Sequence, residues 1–375
     1  MTSAYIHIPF CDQICFYCDF PKVLKEDQPI EEYLTTLRWE MEQYQVKEPC
    51  ETLYIGGGTP SSLNEQELEQ LLASVREMLP FSGGEFTFEV NPGDLNEAKL
   101  HLLEEYGVNR LSMGVQTFNE TLLKKIGRKH NRQDVHDTLH AIEKYSTITN
   151  VSLDLIYALP KQTIEDFQAT LKEAVELGLP HFSLYALILE NQTVFANLAR
   201  RGKLLLPTQE EEVAMEEWAQ EYLEARGWHR YELSNYGKEG YESQHNLMYW
   251  DNKHYYGFGA GGSGYLGNER YRNHAPIQHY LAACQKGELP IVEKEVISRS
   301  AAMEEQIFLG LRKTKGVSKK EFAARFHQPI EEVYGPVISD LLAKGLLQEQ
   351  DDFLSLTPQG RLFGNDVFVE FLLDK

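Results

Sequence analysis

The sequence predicts an α/β protein: a partial (β/α)6 TIM-like barrel with a small C-terminal winged-helix-like α+β module. Three observations carry this. Across the first 230 residues short β-rich runs alternate with helix-length amphipathic segments, the rhythm of parallel strands joined by right-handed crossovers. The alternation counts six units, fewer than a closed eightfold barrel needs. From about Ser298 the pattern changes to successive helices and a strand pair, and 375 residues suffice for a large domain plus a smaller one. A doubly wound open sheet is the competing architecture for the first part.

The strands are expected at 4–8, 52–55, 86–90, 110–114, 151–156 and 181–187, and the helices between them at 30–45, 64–78, 96–106, 132–145 and 163–177. Asn64 with Glu67 three positions on has the form of a capping box. A further helix at 208–226 precedes a stretch rich in Gly, Tyr, Asn and His with weak periodicity, read as a cover over the barrel's edge or mouth. Helices at 301–312, 318–326 and 330–344, strands within 347–356 and a final helix complete the chain. The division is therefore 1–230 for the barrel, 231–297 for the cover and 298–375 for the C-terminal module.

Composition excludes several classes of function. With 42% hydrophobic and 25% charged residues the chain is neither disordered nor fibrous. Lys and Arg number 36 against 57 Asp and Glu, a net charge of −21, so the average surface repels phosphate backbones and anionic lipid. A winged-helix-like module often binds DNA, but residues 298–375 hold ten basic and twelve acidic side chains and no basic stripe. A structural or protein-contact role suits it better, and nucleic acid is not an expected partner. No apolar run approaches a membrane span, and the first ten residues lack the pattern of a secretory signal, so a cytoplasmic protein is expected.

The chemistry concentrates in a few motifs. Of five cysteines, Cys11, Cys15 and Cys18 fall within eight residues at C-x3-C-x2-C spacing, just after the first strand. Three thiolates on one loop can ligate three irons of a 4Fe-4S cluster and leave the fourth iron open to a small chelator. Zinc is the bland alternative, but a closed zinc site wants a fourth ligand that no nearby cysteine supplies. Gly56-Gly57-Gly58-Thr59-Pro60 follows the second strand, where glycines let the backbone approach a ligand; a plain turn is the competing reading. Glu89, Gln116 and Asp154 sit in or just after the third, fourth and fifth strands, each polar among apolar neighbours. Singly each could be a satisfied hydrogen-bonding residue; together they read as the lining of one pocket at the strand ends. Gly257-Phe258-Gly259-Ala260-Gly261-Gly262 fits G-x-G-x-x-G formally, but with no clear strand before it and no amphipathic helix after it, a dinucleotide fingerprint is rejected.

The cysteine loop, with Tyr17 before its last cysteine, and the Gly-Gly-Gly-Thr-Pro element resemble the radical S-adenosylmethionine (SAM) superfamily. The resemblance narrows with Tyr5-Ile6-His7-Ile8-Pro9-Phe10-Cys11, Glu89-Val90-Asn91-Pro92, Ser112-Met113-Gly114-Val115-Gln116-Thr117-Phe118, Gly127-Arg128 and Asp154-Leu155-Ile156-Tyr157. Over nearly the whole chain these are similar to the oxygen-independent coproporphyrinogen III oxidase-like family. The resemblance implies a 4Fe-4S cluster on Cys11, Cys15 and Cys18, with SAM chelating the open iron. It further implies that Tyr5, Gly57 and Glu89 contact that SAM, and that Tyr17, Gly58, Thr59, Gln116, Arg128 and Asp154 surround the second SAM site of the dehydrogenase.

Two departures choose a branch. Where the dehydrogenase has a further cysteine this chain has Phe20, and ten residues before Cys11 cannot supply the dehydrogenase's N-terminal extension. His245-Asn246-Leu247-Met248-Tyr249-Trp250 matches the HNxxYW motif of the haem-chaperone branch. The resemblance thus implies a protein that binds haem and hands it to acceptor haemoproteins, including membrane-bound ones. The enzyme alternative is oxidative decarboxylation of coproporphyrinogen III. His245 is a candidate haem ligand, since neutral imidazole binds haem iron, and Tyr249 and Trp250 offer flat surface to a porphyrin. The competing reading is a histidine satisfied inside an aromatic cluster.

Overall fold

The computed structural model describes residues 2–373; the outermost ends of the 1–230 and 298–375 segments lie outside them. Six strands follow one another across the sheet: β1 (Thr2–Ile8), β2 (Cys50–Gly57), β3 (Phe81–Val90), β4 (Arg110–Gln116), β5 (Asn150–Tyr157) and β6 (His181–Ala186). Each pairs in parallel with the next, in sequence order. A doubly wound sheet reverses its order at a switch point. This sheet does not, so right-handed crossovers put every connecting helix on one face, and the other face curls around an interior.

The barrel stays open. On the far side of β1 runs the parallel strand His254–Phe258, continued by the antiparallel strands Ser263–Leu266, Glu269–Asn273 and Ile291–Val296. Beyond β6 lie the antiparallel strands Asn235–Gly237 and His229–Arg230, giving a 12-stranded sheet whose two ends do not pair. The stretch of weak periodicity is thus largely an extension of the sheet. A strand does precede the Gly257–Gly262 loop, contrary to the sequence reading, but a strand and not a helix follows it, so no dinucleotide turn forms.

Local signals explain the helices. Asn64 forms the expected capping box with Glu67, and Asn131, Thr163 and Thr208 form the same reciprocal pair with Asp134, Asp166 and Glu211. Each helix then buries one apolar stripe: Leu68, Leu71, Leu72 and Val75 on Glu65–Met78, and Phe167, Leu171 and Ala174 on Ile164–Glu176. The strands answer with Ile6, Leu53, Ile55, Phe86, Phe88, Leu111 and Leu153, all fully buried.

Beyond Ser298, helices Arg299–Gly310, Lys319–Phe326 and Ile330–Ala343 pack around a core of their own, which includes Ile307, Phe322, Tyr334 and Leu354. Strands Leu347–Gln350 and Phe353–Leu356 form the expected hairpin, to which Val317–Ser318 adds a third strand. The single final helix of the sequence reading is two short ones, Pro358–Leu362 and Gly364–Glu370. Among the described residues no helix is long and apolar enough to cross a membrane.

Candidate functional site

Side chains from five of the six barrel strands, β2 to β6, and from the cysteine loop that follows β1 converge on one cavity of about 410 Å³. In a parallel barrel the C-terminal end of the strands is where irregular loops begin and ligands bind. Of the residues singled out from sequence, Cys11, Cys15, Tyr17, Cys18, Gly57, Gly58, Thr59, Glu89, Gln116, Arg128 and Asp154 all line it. Tyr5 and His245 are not part of its lining.

The cysteine loop leaves β1 at Ile8 and is closed at its base by a short parallel pairing of Phe10–Cys11 with Val23–Leu24. Phe16 packs into a small apolar cluster with Leu122, Ile126 and Phe195, and its backbone N–H donates to the Ile126 carbonyl at 3.0 Å. His7 holds the other end: its Nε2 lies 2.7 Å from the Pro21 carbonyl. That nitrogen must carry the proton, so Nδ1 accepts from the Tyr5 hydroxyl at 3.0 Å. Burial pushes the His7 pKa down to about 4, which keeps this neutral tautomer. Tyr5 therefore acts on the loop through His7.

Burial pushes the Cys11 thiol up to about 11, against the pull of a hydrogen bond from the Thr59 hydroxyl at 3.5 Å. Burial raises Cys18 as well, opposed by Lys22. The Arg128 guanidinium contacts Cys15 Sγ at 3.7 Å and donates to Asn91 Oδ1 at 2.7 Å and to the Gly114 carbonyl. Two cationic side chains thus attend the thiols.

The glycine run is tight on every side. Gly57 has φ +123°, and a Cβ there would lie 2.5 Å from the His7 ring; a Cβ on Gly58 would meet the Pro9 carbonyl carbon at 2.8 Å. The Gly57 N–H donates to Glu89 Oε2 at 2.9 Å and the Tyr54 hydroxyl to Oε1 at 2.7 Å. Burial still raises the Glu89 carboxyl to about 7, ahead of the lowering effect of those two donors. Opposite, the β4–β5 register slips between Gly114 and Gln116, and Gln116 takes φ +68°, a left-handed conformation rare outside glycine. Such a bulge re-aims a side chain, here at the cavity. Asp154 accepts from Ser112 at 3.0 Å, and burial raises its pKa.

His245 is placed differently from the sequence expectation of a haem ligand. It lies on the short helix Gln244–Trp250, beside Thr52 in the N-terminal half of β2, while the glycine run and cysteine loop lie at the opposite end. Five residues of strand separate Thr52 from Gly57, about 17 Å at ~3.4 Å per residue. The imidazole is 1% exposed, with Nδ1 bonded to Thr52 Oγ1 at 2.8 Å and Nε2 to the Tyr249 hydroxyl at 2.9 Å. Both ring nitrogens are used, so this is the satisfied histidine of an aromatic cluster with Tyr54 and Tyr249. Its helix is capped by Glu85, which accepts from Ser243 and from the N–H groups of Gln244 and His245. Asn246, next in the motif, does line the cavity.

Comparison with known proteins agrees with this geometry. The radical SAM superfamily model matches residues 5–174, and the HemN C-terminal domain model matches 297–363. A protein named heme chaperone HemW from Lactococcus lactis subsp. lactis (strain IL1403) is 46% identical over 374 residues, covering 100% of this chain and 98% of its own. Heme chaperone HemW of Bacillus subtilis (strain 168) is 45% identical over 377 residues, covering 99% of each. The chain belongs to the HemW family of radical SAM proteins. Its fold is that of the coproporphyrinogen III oxidase HemN from Escherichia coli, with a TM-score of 0.86 at 22% identity over 99% of this chain and 90% of that one.

Radical SAM families use a 4Fe-4S cluster and SAM, and the HemW-family residues here fit both. Cys11, Cys15 and Cys18 would each hold one iron of the cluster, leaving the fourth iron to SAM. Arg128 and Lys22 offset the charge the thiols acquire on metal binding. Gly57 and Gly58, where a Cβ would strike His7 and the Pro9 carbonyl, keep the backbone close beneath the cavity, and the half-buried Glu89 carboxylate beside them suits a ligand bearing an ammonium group. Sequence reasoning missed Tyr54, Asn91, Arg110 and Ser112 in the lining. Arg110, an arginine opening an apolar strand and only 2% exposed, was the available signal.

Proposed function

We propose that this protein binds haem and delivers it to haem-containing acceptor proteins in the cytoplasm, including acceptors at the membrane. The observation that carries the reading is full-length identity of 46% and 45% to proteins named heme chaperones. Cys11, Cys15 and Cys18 would hold the cluster and Gly57 and Glu89 the SAM, with Tyr5 positioning the loop through His7. Tyr17, Gly58, Thr59, Gln116, Arg128 and Asp154 close the remainder of that cavity. When bound, the cluster supplies an electron to SAM.

The chain's own residues do the rest. Arg128 fixes the cysteine loop to the β4 end through the Gly114 carbonyl, and Asn91 joins it to Thr59 at 3.2 Å. Glu89, poised near neutrality, can meet an ammonium as a carboxylate or lose its charge in its absence. Phe20 stands where the coproporphyrinogen dehydrogenase has a further thiol, which favours carriage over turnover.

One reconstituted sample tests the reading. Saturable haem binding with a Soret band, and transfer to an apo-haemoprotein, are expected, without sustained protoporphyrinogen formation from coproporphyrinogen III, SAM and reductant. Sustained turnover, or no haem binding, overturns it.

A further inference from the structure

One side of the cavity mouth is built of large apolar side chains that nothing covers. Phe20 is 59% exposed, Ile188 66% and Tyr185 42%, and all three line the cavity that holds the cysteines. Apolar residues exposed singly are ordinary; several gathered around one opening mark a ligand or partner site. They come from two distant segments: Phe20 from the cysteine loop, and Tyr185 and Ile188 from the end of β6 and the residues just after it. Local sequence bias in one loop does not explain their meeting.

Lys22 lies at the same opening. Its ammonium has three N–H donors, of which the Cys18 carbonyl takes one at 2.6 Å and the Phe20 carbonyl another at 3.1 Å. Among the described residues no carboxylate forms an ion pair with it, although Asp19 and Glu190 line the same cavity, and its charge also acts on the Cys18 thiol beside it. An apolar surface with the Lys22 cation held at its edge by two backbone carbonyls suits a flat apolar molecule that carries a carboxylate. Haem is such a molecule.

We propose that haem is held at this mouth, its macrocycle against Phe20, Tyr185 and Ile188 and a propionate at Lys22. The placement rests on the haem-carrier reading and makes it specific. It puts the cargo outward of Gly57 and Glu89, at the opposite end of the barrel from His245.

Soret titrations of the reconstituted full chain test this, with wild type, Phe20→Ser, Ile188→Glu and Lys22→Gln measured against haem and haem dimethyl ester. Iron content and SAM binding serve as checks on the fold. The first two substitutions are expected to weaken haem about tenfold each by removing apolar contact. Lys22→Gln should weaken haem while leaving the ester, which has no carboxylate, unchanged. If Phe20→Ser disturbs the cysteine loop and loses iron, Ile188→Glu decides, since it lies outside that loop. No haem binding by wild type ends the carrier reading and the placement with it. Binding by wild type and equal binding by the variants overturns the placement alone. Unchanged affinity with lost transfer to an apo-acceptor also overturns it, and makes the rim a docking surface for protein.

Discussion

His245→Ala separates a packed histidine from a haem ligand. The substitution removes two hydrogen bonds, to Thr52 at 2.8 Å and Tyr249 at 2.9 Å, and empties a ring volume beside Tyr54. Thr52 is 2% exposed and cannot turn to water, so its stranded hydroxyl costs about 1–2 kcal/mol. The void adds a similar amount, for a total of about 3 kcal/mol. In a chain of 375 residues that is a fall of about 4 °C in Tm, read by circular dichroism. The Soret maximum and haem affinity should stay as in wild type. An unchanged Tm with a displaced Soret band would refute the reasoning, because it would mean the imidazole is free to meet iron.

Other outcomes follow from the same structure. Cys15→Ser should fold but reconstitute with far less than four irons per chain, measured by iron assay; full iron and unchanged spectra would remove Cys15 as a ligand. Gly57→Ala should reduce both iron loading and Tm, since its Cβ would lie 2.5 Å from the doubly bonded His7 ring; Gly83→Ala, at φ +88° with nothing within 4 Å, should cost only about 1 kcal/mol of backbone strain. Burial raises the Glu40 carboxyl to about 7 although Tyr280, Gly259 and Asn273 all donate to it. A carboxyl whose pKa is higher folded than unfolded binds more protons in the native state. Its contribution is therefore whole below about pH 4.5 and is lost as pH rises through 7. Urea titrations of wild type and Glu40→Leu should then differ in slope across that interval, and parallel curves would discount the shift.

What the sequence reveals of this fold depends on how local the signal is. Caps and apolar stripes lie within one helix, and the helices at 65–78 and 132–145 end within a residue of where the pattern puts them. The strand His254–Phe258 escaped because its partner is β1, some 250 residues earlier, and its His-Tyr-Tyr-Gly-Phe sequence carries no alternation. The short helices Glu120–Lys125 and Val194–Arg200 are too brief for a period to register. At the site, dense cysteines and consecutive glycines announce themselves because few other arrangements need them. Tyr54 and Ser112 do not, being ordinary strand residues until the barrel's curl turns them inward. His245 needed the structure for the converse reason: a motif marks a residue without saying whether its nitrogens already have partners.

The pairing of β1 with His254–Phe258 also sets an order of events during synthesis. Thr2–Ile8 precedes that partner by 246 residues, which at about 5–20 residues per second is on the order of 10–50 s of elongation. Through that interval one side of β1 is an unshielded edge, and Tyr33, whose hydroxyl joins the His7 carbonyl to the Ala260 N–H, lacks half its bridge. The strand bearing the cysteine loop is therefore clamped last although it is made first. A nascent chain interrupted before residue 254 would present that edge to other chains.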